Sequence, residues 1–222
     1  MNMQMPSRFE KQLEGLYTNI LNLTSVIEQV IATSIKAFMN QDATLAKGVT
    51  ENKKEITNLV NLVEGDAMRI LLLQSPVASD LRYLTTVLKV VTELERIGAQ
   101  ARDICSIVID LSKQKFHKQQ ITIPLMAETT TKMVKSGIEC FINKDVKLAK
   151  IVIDMDDEID AMFAKAKGNM IEKIREHPEY TDQAIFLLMV AKYFEKIGDH
   201  AVNIAEWAIF CKTGEKKNVR LI

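Results

Sequence analysis

Little in this chain would break a helix. Only 4 Pro and 8 Gly occur among 222 residues, and apolar-polar alternation never lasts long enough for a strand, so sheet-based folds are excluded on pattern. Cysteine is scarce too: Cys105, Cys140 and Cys211 are odd in number, widely spaced and set in apolar helical stretches. That distribution suits reduced core thiols, not a disulfide framework or a zinc site. Neither sign of charge is in excess, since 29 basic and 29 acidic side chains give a formal net charge of zero. The electrostatic footprint of a general nucleic-acid binder is therefore missing. No apolar run reaches membrane-spanning length, and Met1 to Pro6 shows no basic segment leading into an apolar one. The expectation is a soluble, cytoplasmic protein with no nucleic-acid partner and no membrane insertion. A Ser-His-Asp order, a Gly-rich phosphate loop and paired cysteines are also missing, so nothing reads as a reaction centre and the chain is expected not to be an enzyme.

What is present is helical period. Phe9, Leu13, Leu16, Ile20, Leu23, Ile27 and Val30 alternate steps of four and three, the seam of a bundled helix starting near Pro6-Ser7. After a break at Asn40-Gln41-Asp42, where Asp42 can cap the next helix, Leu45, Val49, Ile56, Leu59, Val63, Ile70 and Leu73 continue the spacing. Asn52 and Asp66 interrupt that seam. Ser75-Pro76 reads as a capped restart with Pro in the first turn, followed by Val87, Val90, Leu94, Ile97, Ala101, Ile104, Val108 and Leu111. The polar stretch Lys113 to Gln120, which contains His117, separates this unit from a second. Helices are expected there over about 124–142, 145–176 and 181–211, with breaks at Asn143-Lys144 and His177-Pro178. Lys216, Lys217 and Arg220 make a basic tail that reads as a frayed terminus.

One phrase is written twice. Glu95-Arg96-Ile97-Gly98-Ala99-Gln100-Ala101-Arg102-Asp103-Ile104 returns, 100 residues on, as Glu195-Lys196-Ile197-Gly198-Asp199-His200-Ala201-Val202-Asn203-Ile204. Internal repetition at this period marks a duplicated structural unit. The fold expected is all-α, two tandem three-helix bundles, with units at 1–115 and 122–222. The mid-helix Gly98 and Gly198 are expected to let helices approach closely, each at about 1 kcal/mol of helix propensity.

The copies differ in their acids. Glu195 and Asp199 share one helical face, and Asp156 and Asp160 share another on the preceding helix. Antiparallel packing of these helices would bring four carboxylates together at the bundle edge, where a cation would offset their repulsion. Oxygen ligands of this kind suit Fe, Mn, Mg or Zn. Yet Asp154, Asp156, Asp157, Glu158 and Asp160 are five acids in seven residues, and such a run is equally a solvated face. Aligning Glu55-Ile56 with Glu158-Ile159 leaves the first unit Lys53, Thr57, Glu95 and Ala99 at the corresponding places. Weak metal binding is expected there, with Lys53 and Glu95 as an internal ion pair. Asp103 and Asn203 are weaker ligand candidates, and His200 could swing towards the acids. Neither unit carries the Glu-x-x-His pair of a di-iron bundle enzyme. A carboxylate metalloprotein and a metal-free scaffold both remain open on these residues alone.

The doubled Glu-[Arg/Lys]-Ile-Gly-x-x-Ala-x-[Asp/Asn]-Ile, with Pro76-Val77-Ala78-Ser79-Asp80-Leu81-Arg82, resembles the PhoU family over roughly residues 8–210. That resemblance implies a regulator of phosphate uptake and of phosphate-starvation signalling, an adaptor between the ATPase subunit of a phosphate ABC transporter and a two-component sensor histidine kinase. It also implies iron or zinc at Asp156, Asp160, Glu195 and Asp199, whose motif the first unit departs from at Lys53, Thr57 and Ala99. A homodimer is compatible with six amphipathic helices.

Overall fold

The periodicity read from the sequence is realised as six helical rods in a computed structural model, which describes residues 7–51, 53–113, 122–216 and 219–220. Expectations resting on Met1 to Pro6, Asn52, His117 with most of the connecting stretch, and Lys217 lie outside the described residues. The first unit comprises α1 (Arg8–Asn40), α2 (Ala43–Glu51), α3 (Lys53–Gln74) and α4 (Ala78–Leu111). In the second are α5 (Thr122–Asn143), α6 (Val146–Asp154), α7 (Asp156–Glu176), a 3-10 turn at Pro178–Tyr180 and α8 (Thr181–Thr213). A two-residue antiparallel pair, β1 (Glu215–Lys216) with β2 (Val219–Arg220), follows. The all-α expectation holds.

The middle rod of the second unit is two helices, where one continuous helix was expected. The break falls at Met155. Met155 keeps right-handed backbone angles, φ −71° and ψ −12°, so the seam stays in phase through the kink and leaves no trace in apolar spacing. A second correction concerns Ser75 and Pro76. Ser75 has φ 45° and ends α3 in the left-handed region, while α4 starts from an extended Val77 without a side-chain cap. Leu73, assigned to a seam, is 60% exposed because the last turn of α3 projects beyond the core.

Turn chemistry repeats between halves. Gln41 and Lys144 close α1 and α5 with φ 53° each, the left-handed cap that ends many helices. Asp42 then accepts from Leu45 N at 2.9 Å, and Asp145 from Lys147 N and Leu148 N. At the start of α1, Ser7 and Glu10 form a reciprocal capping box.

The expected seams of α4 and α8 are buried at every position from Val87 to Leu111 and from Leu187 to Ala208. All three cysteines are buried and free. One hydrophobic cluster runs from Leu16 to Ala208 and crosses between the units. Phe38 meets Phe194 edge to face at 6.4 Å, and Tyr83 stacks on Phe141 at 6.4 Å. Thr130 with Phe194 and Gly137 with Ala201 set α5 parallel to α8. Glu93 with His200 and Asn203 joins α4 to α8.

Candidate metal centre

The site is built on two helices brought close by a missing side chain. A Cβ on Gly198 would lie 3.3 Å from Ile159 Cγ2 and 3.4 Å from Met133 Cε and Sδ, so Gly lets α7 and α5 lie closer than a larger residue would without those side chains giving way. Gly98 plays the same part in the first unit, where a Cβ would stand 3.0 Å from both Ile27 Cδ1 and Ile56 Cδ1. Ile159 precedes Asp160, and Gly198 lies between Glu195 and Asp199. Their contact therefore sets the acidic faces of α7 and α8 against each other. The local run Asp156, Asp157 and Glu158 occupies the first turn of α7, where the helix dipole favours negative charge.

Asp160, Glu195 and Asp199 each place an oxygen within 4.8 Å of the others. Glu195 is 8% exposed, Asp199 half-buried and Asp160 exposed. The cluster thus opens to solvent on one side and is walled by core on the other. Asp156 stands outside this trio, so three of the four expected carboxylates converge. It remains electrostatically part of the group: burial, then the charges of Asp160, Asp199, Asp157 and Glu195, push its carboxyl above the ordinary carboxylate range. Its Oδ1 is buried without a hydrogen-bond partner.

Two lysines of α8 complete the arrangement. Lys192 Nζ lies 2.6 Å from Glu195 Oε2, a close ion pair, although that oxygen receives no directional hydrogen bond. Lys196 is hydrogen bonded to Asp199 and lies 3.7 Å from Glu195 Oε2. The bond to Asp199 outweighs the effect of burial and raises the Lys196 ammonium above its ordinary value. Lys196 was visible as the basic position of the repeated phrase but neither lysine had a role there, although their i, i+3 spacing to Glu195 and Asp199 is a readable ion-pair signal. An all-oxygen donor set with a buried, unpartnered Asp156 oxygen and a hydrogen-bond-poor Glu195 fits a hard or borderline divalent cation.

Several expectations need correction. His200 does not swing towards the acids; its Nδ1 donates to Glu93 Oε2 at 2.7 Å across the interface between units. Asn203 donates to the same oxygen at 3.2 Å and is not turned towards the trio. Lys53 is exposed and, among the described residues, forms no ion pair with Glu95. In the first unit the group folded over Gly98 is Arg102, whose Nη1 lies 3.6 Å from a Cβ built there and is buried without a partner. Asp103 is exposed. His177 is on the surface as expected, beside Glu179.

Comparison with known proteins follows the same division into units. The family model for the PhoU domain matches residues 20–108 and again residues 123–208. PhoU homolog 1 of Thermotoga maritima, a phosphate-specific transport system accessory protein, is 30% identical over 208 residues, 93% of this chain and 90% of that protein. The homolog from Clostridium acetobutylicum is 29% identical over 209 residues, 94% of this chain and 95% of its own length. The crystal structure of PhoU from Pseudomonas aeruginosa superposes with a TM-score of 0.91 at 27% identity, covering 94% of this chain and all of that one. The Streptococcus pneumoniae PhoU structure shares the fold at a TM-score of 0.89 with 20% identity, over 96% of this chain. Matched in both halves and along nearly its whole length, the chain belongs to the PhoU family.

Proposed function

We propose that this protein is a non-enzymatic regulator of phosphate uptake and of the phosphate-starvation response. It acts in the cytoplasm as an adaptor between the ATPase subunit of a phosphate ABC transporter and a two-component sensor histidine kinase. Whole-length similarity to proteins named as accessories of a phosphate-specific transport system carries this reading. No helix among the described residues is long and apolar enough to cross a membrane, in keeping with an accessory that docks on a transporter. The second unit holds iron or zinc through Asp160, Glu195 and Asp199, with Asp156 beside them, and the convergent oxygens support that part. A bound ion would supply the positive charge that these carboxylates need, and so fix α7 against α8 where partners are met. A homodimer belongs to the same reading. The alternative of a di-iron bundle enzyme is disfavoured because His200 is committed to Glu93.

The test pairs chemistry with physiology. Protein purified without chelator or metal-affinity tag should carry metal by elemental analysis. A variant combining Asp160→Asn, Glu195→Gln and Asp199→Asn should carry none and should capture less of the ATPase subunit. In cells lacking their own copy, the unaltered protein should restore repression of phosphate uptake. Failure to restore it would overturn the regulatory reading, and undiminished capture by the metal-free variant would overturn the coupling of metal to partner.

A further inference from the structure

A cation is already seated among the acids of α8. The Lys196 ammonium is hydrogen bonded to Asp199 Oδ2 and lies 3.7 Å from Glu195 Oε2. It therefore spans two of the three carboxylates whose oxygens gather within 4.8 Å. Lys192 is placed differently. Its Nζ touches Glu195 but also sits 4.9 Å over the centroid of the Phe163 ring, a second attraction that holds it away from Asp199. Lys196 is 40% exposed along its side chain, whereas Glu195 is 10% exposed. The lysine can leave for water by rotating its stem, and the glutamate cannot.

A carboxylate as buried as Glu195 requires a counter-charge, which Lys192 supplies at 2.6 Å and Lys196, bonded to Asp199, adds to from 3.7 Å. An ammonium and a divalent cation cannot share one pair of oxygens, because two positive charges about 4 Å apart repel each other. We propose that Lys196 is the internal counter-ion that a divalent cation must displace, so that loading of the site swings the Lys196 ammonium out of the cluster and onto the exposed face of α8. This inference rests on the metal reading given above. It makes ion status legible from outside: a partner presenting an acidic side chain to α8 meets a free Lys196 only on the loaded protein. The basic position of the repeated phrase acquires a role that spacing alone did not assign.

Two measurements on the full-length protein test it. Competition of Mn²⁺ or Zn²⁺ against a fluorescent chelator should show Lys196→Gln binding about tenfold more tightly than the unaltered protein, the effect of removing one adjacent positive charge. Lys212→Gln, on the last turn of α8, should bind like the unaltered protein. Amine acetylation of the unaltered protein, read by mass spectrometry, should then label Lys196 severalfold faster after saturation with Zn²⁺, with Lys212 unchanged. Equal affinities, or a Lys196 labelling rate that does not respond to the ion, would overturn the exchange while leaving the metal site standing. If neither the unaltered protein nor Lys196→Gln binds either ion, the exchange and the metal site fall together.

Discussion

Glu93 is one residue through which the two units hold each other by charge. Its side chain is 17% exposed and accepts from His200, itself 12% exposed, and from Asn203. Burial alone would raise its carboxyl, but the two hydrogen bonds and the positive charges of His200 and Arg96 hold it below the ordinary value of 4.5. The stabilisation is therefore complete above that value and is lost as the pH falls through the lower folded one. Glu93→Gln should lower stability by about 2 kcal/mol at neutral pH, the scale of hydrogen bonds to a charged group. Denaturant melts across pH should show the gap between the two proteins narrowing in acid below 4.5. A gap constant with pH would mean that Glu93 acts through packing alone. Nothing in the sequence pointed to Glu93, since its partners lie 107 and 110 residues away and meet it only through the register of α4 on α8. Asp160, Glu195 and Asp199 were legible because i, i+4 spacing on one helix is a local property. Asp156 was legible as a residue of the same face, but the kink at Met155 begins α7 with it and leaves it outside the trio.

At the scale of elements, close approach is concentrated at glycines, and the protein's glycines divide by what surrounds them. A Cβ on Gly137 would stand 3.2 Å from the Ala201 carbonyl oxygen, and backbone yields less readily than the end of a side chain. Gly65, within α3, has nothing within 4 Å. Ala gains about 1 kcal/mol over Gly in a helix interior, and overpacking costs about 1–3 kcal/mol. Gly65→Ala should therefore stabilise by about 0.5–1 kcal/mol, while Gly137→Ala should destabilise by about 1 kcal/mol net. Thermal melts of the two variants should move in opposite directions. If both rise, α5 and α8 have room that the geometry denies. Element existence was readable from seams of period 3.6, and so was the break at Asn143-Lys144, though not its left-handed close. The division of the second unit's middle rod at Met155 was not, because a right-handed kink preserves the phase of the apolar stripe. Ser75 misled for a related reason: a Ser-Pro pair marks a boundary without saying which helix the serine belongs to.

Seen whole, the molecule is a duplication whose halves have been joined into one core. The repeated phrase revealed the duplication, but not that the seams of α4 and α8 would share a single cluster with α1 and α5. Which faces of two bundles meet is set by shape complementarity over many side chains, a non-local property. Phe194, fully buried against Phe38 of the other unit, tests this unity. Phe194→Ala should cost about 4 kcal/mol, and calorimetry should show one transition moved downward as a single cooperative unit. Two transitions, only one of them shifted, would show that the units unfold independently. The duplication also sharpens the functional claim, for the second unit gathers three carboxylates where the first has Glu95 with Ala99 one turn on and Arg102 folded over Gly98. The most direct measurement is a crystal of the protein grown with Zn²⁺ and examined by anomalous scattering at the zinc edge. The account predicts a peak about 2.0–2.2 Å from oxygens of Asp160, Glu195 and Asp199, with none beside Glu95. Equal peaks in both units, or none at the acidic trio, would contradict it.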